Sequence, residues 1–230
     1  MASVDSYAQL TMRGGAVVPL ANTALTEATE DEIQTDANFV GSAQPCGTFA
    51  TQSLPNPVVM SAGVSAENDV TYAYVRSAGK IKLGLPVSGL SSGMGLPGSL
   101  PYPKQLVSGD SVIVMANAVA DREVGLTVAC SSGEYHCFSV TPAGAAEHEL
   151  VSVLTGQSIG ETLQGRVVTH AFAMGGNNAT NFTSPIYFLN GSGTPIGSVT
   201  PNDPAVDTGL FQTCMAQIAL NTRVVFRTDA

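Results

Sequence analysis

The sequence predicts an all-β fold, an antiparallel β-sandwich of about ten to twelve short strands with long Gly/Pro loops between them. Three observations predict it. Residues 106–140 hold three apolar, β-branched runs, Ser111–Ala116, Val124–Ala129 and Tyr135–Val140, each bounded by Gly, Ser or Asp. In the first run Val112, Val114 and Ala116 share one face and Ile113, Met115 and Asn117 the other. Both faces are largely apolar, which suits a strand covered by two layers. Elsewhere the 24 glycines and 13 prolines interrupt any long helical pattern, so a couple of short helices at most are expected.

From the N-terminus, Tyr7–Met12 alternates as a strand does, and Val17–Leu20 is a short apolar run beyond Gly14-Gly15. Residues 1–36 are expected to form an N-terminal arm or first strand plus an acidic turn, and residues 37–230 the β-sandwich body. In the acidic stretch, TEATEDEIQTD (26–36), Thr26 would cap a short helix with Glu27, Glu30 and Asp31 near its positive end. Its carboxylates lack the spacing and the Gly of an EF-hand loop, which favours a solvated turn over a Ca²⁺ site between Glu27 and Asp36.

Residues 38–66 read as loop, with Pro45, Pro55 and Pro57 separating the short runs Thr48–Thr51 and Val58–Met60. Val70–Arg76 alternates, and Lys80–Leu85 is its hairpin partner, with Lys80 and Lys82 on one face where they deter edge pairing. Residues 86–103, PVSGLSSGMGLPGSLPYP, read as the longest irregular segment, of a kind that makes functional contacts. Further strands are expected at Glu149–Leu154, Arg166–Met174 and Ile186–Leu189, followed by a second long loop over 191–207. Leu210–Leu220 and Arg223–Arg227 read as a closing hairpin that turns at Asn221-Thr222.

Composition narrows the function. Apolar residues are 44% of the chain and charged residues only 12%, about half the globular norm of roughly 25%. A lone monomer needs a charged coat, so this chain is expected to hide surface against copies of itself. Its net charge is −9, from 18 acidic and 9 basic residues, with no basic arm at either end. That disfavours direct nucleic-acid binding and an anionic membrane surface. No apolar run reaches the roughly 18–20 residues of a membrane span. The opening MASVDSYAQLTMRGG lacks the pattern of a signal peptide, so synthesis and folding in the cytoplasm are expected. Cys46, Cys130, Cys137 and Cys214 are too few for a disulfide scaffold and read as buried thiols, although a Cys130–Cys137 bridge stays open.

Several motifs match on paper. Gly93, Gly95 and Gly98 satisfy G-x-G-x-x-G, but Pro97, Pro101 and Pro103 forbid the helix that a dinucleotide site needs. Ser91 and Ser158 each sit in G-x-S-x-G. The acid-then-distant-His order is missing after Ser158, and Ser91 lies in a Pro/Gly loop, so turn chemistry is the preferred reading of both. Cys130, His136 and Cys137 bracket one hairpin, but Cys-x6-Cys is not zinc spacing and adjacent strand residues face opposite ways. No catalytic, cofactor or metal residue is assigned. Sequons at Asn178, Asn181 and Asn190 mark 175–192 as surface.

VTYAYVR, GDSVIVMANAV and EVGLTVACSSGEYHCFSV, separated by Gly/Pro loops and closed by AQIALNTRVVFRTDA, resemble a virion shell protein of the jelly-roll kind. The resemblance implies two packed antiparallel sheets and a structural, self-assembling capsid, coat or decoration subunit with no catalytic activity. Trimers or pentamers, other shell proteins as partners, and location in the virion after synthesis in host cytoplasm follow from it. It carries no functional residue across. The acidic residues 1–36 depart from the basic arm of many capsid proteins. Contact residues between subunits are expected in the first long loop, at Leu90, Met94, Gly95, Leu96, Pro97, Leu100 and Tyr102, and in 191–207. The alternatives are a β-sandwich binding module of adhesin or carbohydrate-binding type, and a serine hydrolase. The absence of Trp and an aromatic content of 6% disfavour the first.

Overall fold

The computed structural model describes residues 3–4, 6–13, 17–22, 28–29, 43–50, 58–66, 70–77, 80–89, 98–107, 110–117, 124–175, 184–201 and 210–228. These are mostly strand, with one short helix, and their pairing is antiparallel except at one short contact. The chain is therefore all-β. None of its described helices is long and apolar enough to cross a membrane.

The first half contributes β1 (Ser3–Val4), β2 (Ser6–Met12), β3 (Val17–Asn22), β4 (Ala28–Thr29), β5 (Ala43–Ala50) and β6 (Val58–Ala66). It continues with β7 (Val70–Ser77), β8 (Lys80–Leu85), β9 (Val87–Gly89), β10 (Gly98–Gln105) and β11 (Ser111–Asn117). β1 pairs with β4, so a short strand occupies Ala28–Thr29 within the stretch expected to be an acidic turn. The rest of 26–36 lies outside the described residues. The other strands run in the order β10-β6-β2-β3-β5-β11-β7-β8. β8 passes through Pro86 directly into β9, which pairs in parallel with β6, so the pairing path returns on itself.

The second half contributes β12 (Val124–Cys130), β13 (Tyr135–Val140), β14 (Glu147–Glu149), β15 (Val151–Ser152), α1 (Ile159–Leu163), β16 (Val167–Gly175), β17 (Ile186–Leu189), β18 (Pro195–Val199), β19 (Gln212–Gln217) and β20 (Arg223–Arg227). A five-stranded sheet, β15-β13-β12-β16-β19, faces a four-stranded one, β14-β20-β17-β18. Val124, Leu126, Val128 and Cys130 alternate toward the second sheet and pack in one core with Phe138, Phe188, Val224 and Phe226. The other face of the five-stranded sheet meets the first half. There Cys137 and Val153 pack with Tyr74 and Ile113, and Thr127 lies against the backbone of Gly84. This explains why every residue of β12 is buried.

Several expectations are corrected. Twenty strands are described, because pieces of two or three residues such as β9, β14 and β15 carry no alternation that a sequence could show. The runs at β11 and β12 are strands as expected, β11 pairing with β5 and β7 and β12 with β13 and β16. β19 and β20 form no hairpin, since β19 pairs with β16 and β20 with β14 and β17. Proline-rich stretches expected to be loops hold β5, β9, β10 and β18 instead. Their prolines sit where no ladder N–H is required: Pro45 at a register shift, Pro101 and Pro103 inside the break in the β10–β6 pairing, Pro195 at a strand start.

Candidate functional site

The first long loop was expected to supply contact residues. Leu90, Met94, Gly95, Leu96 and Pro97 lie outside the described residues, as does Ser91. Leu100 is buried and Tyr102 half-buried, both within β10. Where β10 lacks strand pairing, side chains of the five-stranded sheet hold it. The Tyr102 N–H donates to Tyr135 Oη at 3.0 Å, and that hydroxyl donates to the Tyr102 carbonyl at 3.0 Å. The Tyr102 hydroxyl is 2.7 Å from Thr169 Oγ1, which also contacts His170 Nδ1 at 3.1 Å. Lys104 Nζ donates to the Gly133 carbonyl. Burial pushes the Tyr135 hydroxyl up to about 12, against the opposing effect of its Tyr102 backbone bond, so it stays protonated and can donate.

The candidate nucleophile Ser158 is the N-cap of α1. Its Oγ accepts from the Glu161 N–H at 3.2 Å, and the Glu161 carboxylate accepts from both Ser158 N–H and Oγ at 3.0 Å. This is a capping box. The hydroxyl's geometry is that of helix initiation, with an acid and not an imidazole as its partner.

Cys130 faces the core between the two sheets and Cys137 the opposite side of the five-stranded sheet, and both are free thiols. Period-two alternation therefore forbids their bridge. Burial raises the thiols to about 11 at Cys130, about 12 at Cys137 and about 11 at Cys214, so none is a thiolate near neutral pH. His136 shares the face of Phe138, and its buried Nε2 has no hydrogen-bond partner. Among the described residues no group of three His, Cys, Asp or Glu side chains could hold a metal. Lys82, expected to be a solvated edge charge, instead pairs at 2.7 Å with buried Asp110, which also accepts from the Val107 N–H at 2.9 Å.

The two ends of the sandwich are held differently among the described residues. At one end β14 and β20 bring Glu147 between Arg223 at 3.2 Å and Arg227 at 3.1 Å, with the Arg227 guanidinium over the Tyr187 ring. Val225, paired with Glu149 and Tyr187 on the neighbouring strands, is fully buried. At the other end β18 and β19 close the two sheets. Gln212 bridges the N–H and carbonyl of Thr200, and Gly197 lies against the Cys214 carbonyl. Leu210, Met215 and Leu220, on β19 and beside it, are each more than half exposed. Their exposure was not legible in the sequence, because exposure of an apolar residue depends on which strand ends a sheet.

No family model matches the sequence, and no curated protein or solved structure matches it either.

Proposed function

We propose that the chain is a structural subunit that assembles with copies of itself into a shell of virion type, as a capsid, coat or decoration protein, and is not an enzyme. The observation that supports this reading is the strand order of the second half. A jelly roll with strands lettered B to I packs a B-I-D-G sheet on a C-H-E-F sheet. Lettering β13, β14, β16, β17, β18, β19 and β20 as B to H, and β12 as I, gives β13-β12-β16-β19 and β14-β20-β17-β18, with strand I moved to the front of the chain. The short β15 extends the first sheet beyond B.

A fold alone does not assign a function. The charge content of 12% supplies the physical argument for assembly, since surface that lacks charge is stabilised by contact with its own kind. Trimers or pentamers are the expected closed units. Negative-stain imaging of the purified full chain, with light scattering across the eluting peak, tests this. Discrete oligomers or particles are expected, and particles of monomer size at every concentration would overturn it.

A further inference from the structure

We propose that Asn190 is a self-modifying residue, whose side-chain amide the β17–β18 turn converts to a carboxylate in the folded chain. Among the chain's asparagines only Asn190 is followed by Gly. The pair matters chemically, because the following backbone nitrogen is the nucleophile that attacks an Asn side chain, and Gly, having no Cβ, shields it least. The fold needs this Gly for its own reason: a Cβ at Gly191 would stand 1.8 Å from Asn221 Nδ2.

The turn prepares the electrophile. Asn190 Oδ1 accepts from the Ser192 N–H at 3.0 Å, the Ser192 hydroxyl at 2.7 Å and the Thr194 N–H at 2.9 Å. Attack at Cγ drives negative charge onto this oxygen, and three fixed donors at such distances form an oxyanion hole around it. The bond from the Ser192 N–H closes a ring that contains both Asn190 Cγ and the Gly191 nitrogen. Backbone bonds of the turn run from the Asn190 N–H to the Thr194 carbonyl and from the Gly193 N–H to the Asn190 carbonyl. The Gly191 N–H takes no part in the hydrogen bonds of the described residues, so base can remove its proton. Residues 191–195 are exposed, which admits water.

Hydroxide takes the Gly191 N–H proton, and the nitrogen attacks Cγ to form the N–Cγ bond of a cyclic imide. The Cγ–Nδ2 bond breaks, and Nδ2 takes a proton from water and leaves as ammonia, which restores the hydroxide. Water then adds to Cγ and breaks the new N–Cγ bond, leaving aspartate at position 190. Its carboxylate keeps the same three donors in charge-assisted bonds, so the hairpin retains its turn and gains a negative charge. This chemistry needs only the folded subunit.

The experiment ages the full chain, folded and in urea, beside folded Ser192→Ala in mildly alkaline buffer. Peptide mapping by mass spectrometry reads amide loss at Asn190 and, for comparison, at exposed Asn221, which Thr222 follows. The folded wild type should lose the Asn190 amide faster than the chain in urea and faster than it loses that of Asn221. Ser192→Ala removes one of the three donors to Oδ1 and should slow the folded reaction at least about tenfold. An Asn190 amide that survives longer folded than in urea would overturn the proposal, as would an unchanged rate in Ser192→Ala. Far-ultraviolet circular dichroism checks the fold of the variant. Should Ser192→Ala lose its β spectrum, the folded and urea rates of the wild type decide alone.

Discussion

The hydroxyl of Tyr135 holds both backbone polar groups of Tyr102, accepting from its N–H and donating to its carbonyl, each at 3.0 Å. One side chain thereby does what a neighbouring strand does elsewhere in β10, at the point where Pro101 and Pro103 interrupt the pairing with β6. Tyr135→Phe leaves both groups without their partner and should cost about 1–3 kcal/mol in urea unfolding. Tyr102→Phe loses only the Thr169 contact and should cost about 1 kcal/mol or less. Equal costs would contradict the bridging role.

The two halves meet closely where Gly84 packs against Thr127. A Cβ built on Gly84 would stand 1.9 Å from the Thr127 methyl, a fully buried and stiff side chain. Gly84→Ala should therefore cost about 1–3 kcal/mol through overpacking. Thr127→Ser, which deletes that methyl, should restore part of the loss in the double variant, and a double-mutant cycle with no coupling would refute the contact.

Backbone conformation at Met215 gives a prediction of opposite sign. Met215→Gly relieves a left-handed residue that costs about 1–2 kcal/mol, partly offset by glycine's greater freedom in the unfolded chain. The dissociated subunit should gain up to about 1 kcal/mol in denaturant titrations at high dilution. A loss of stability there would mean that the Met215 side chain packs within its own subunit.

His136 makes stability depend on pH. Burial lowers its pKa below the ordinary value, while nearby Glu134 acts in the opposite sense. The unfolded chain then binds a proton that the folded chain refuses. The resulting stability is full above about pH 6.5 and is lost as pH falls through that value toward the folded pKa. His136→Met should show a smaller drop in Tm between about pH 7.5 and about pH 5.5 than the wild type. Glu149, raised by burial, contributes in the opposite direction in both proteins and cancels from the comparison.

Residue pattern alone locates most strands but not their partners. Val124–Cys130 and Tyr135–Val140 announce themselves as a hairpin, because a short Ser/Gly turn leaves antiparallel pairing as the nearest option, and they do pair. Arg223–Arg227 follows β19 over an equally short turn, yet it crosses to the other sheet. There the Thr222 hydroxyl accepts from the Ala219 N–H at 2.9 Å, and Gly160 donates to the Thr222 carbonyl at 3.1 Å. Nothing in the local spacing distinguishes the two cases, since the choice is made by which core face Ile218 and Val224 must reach. The prolines misled for a related reason: a proline excludes a strand only where the ladder needs its N–H, and pairing sets that. The exposure of Met215 was hidden likewise, because among the described strands β19 is the last of its sheet and only pairing reveals that.

Self-assembly is the central claim, and the solution mass of the wild-type chain tests it most directly. Sedimentation equilibrium across a wide concentration range should return a discrete multiple of the 23.5 kDa subunit, a trimer, a pentamer or a larger closed particle. A mass of one subunit at every concentration would contradict it.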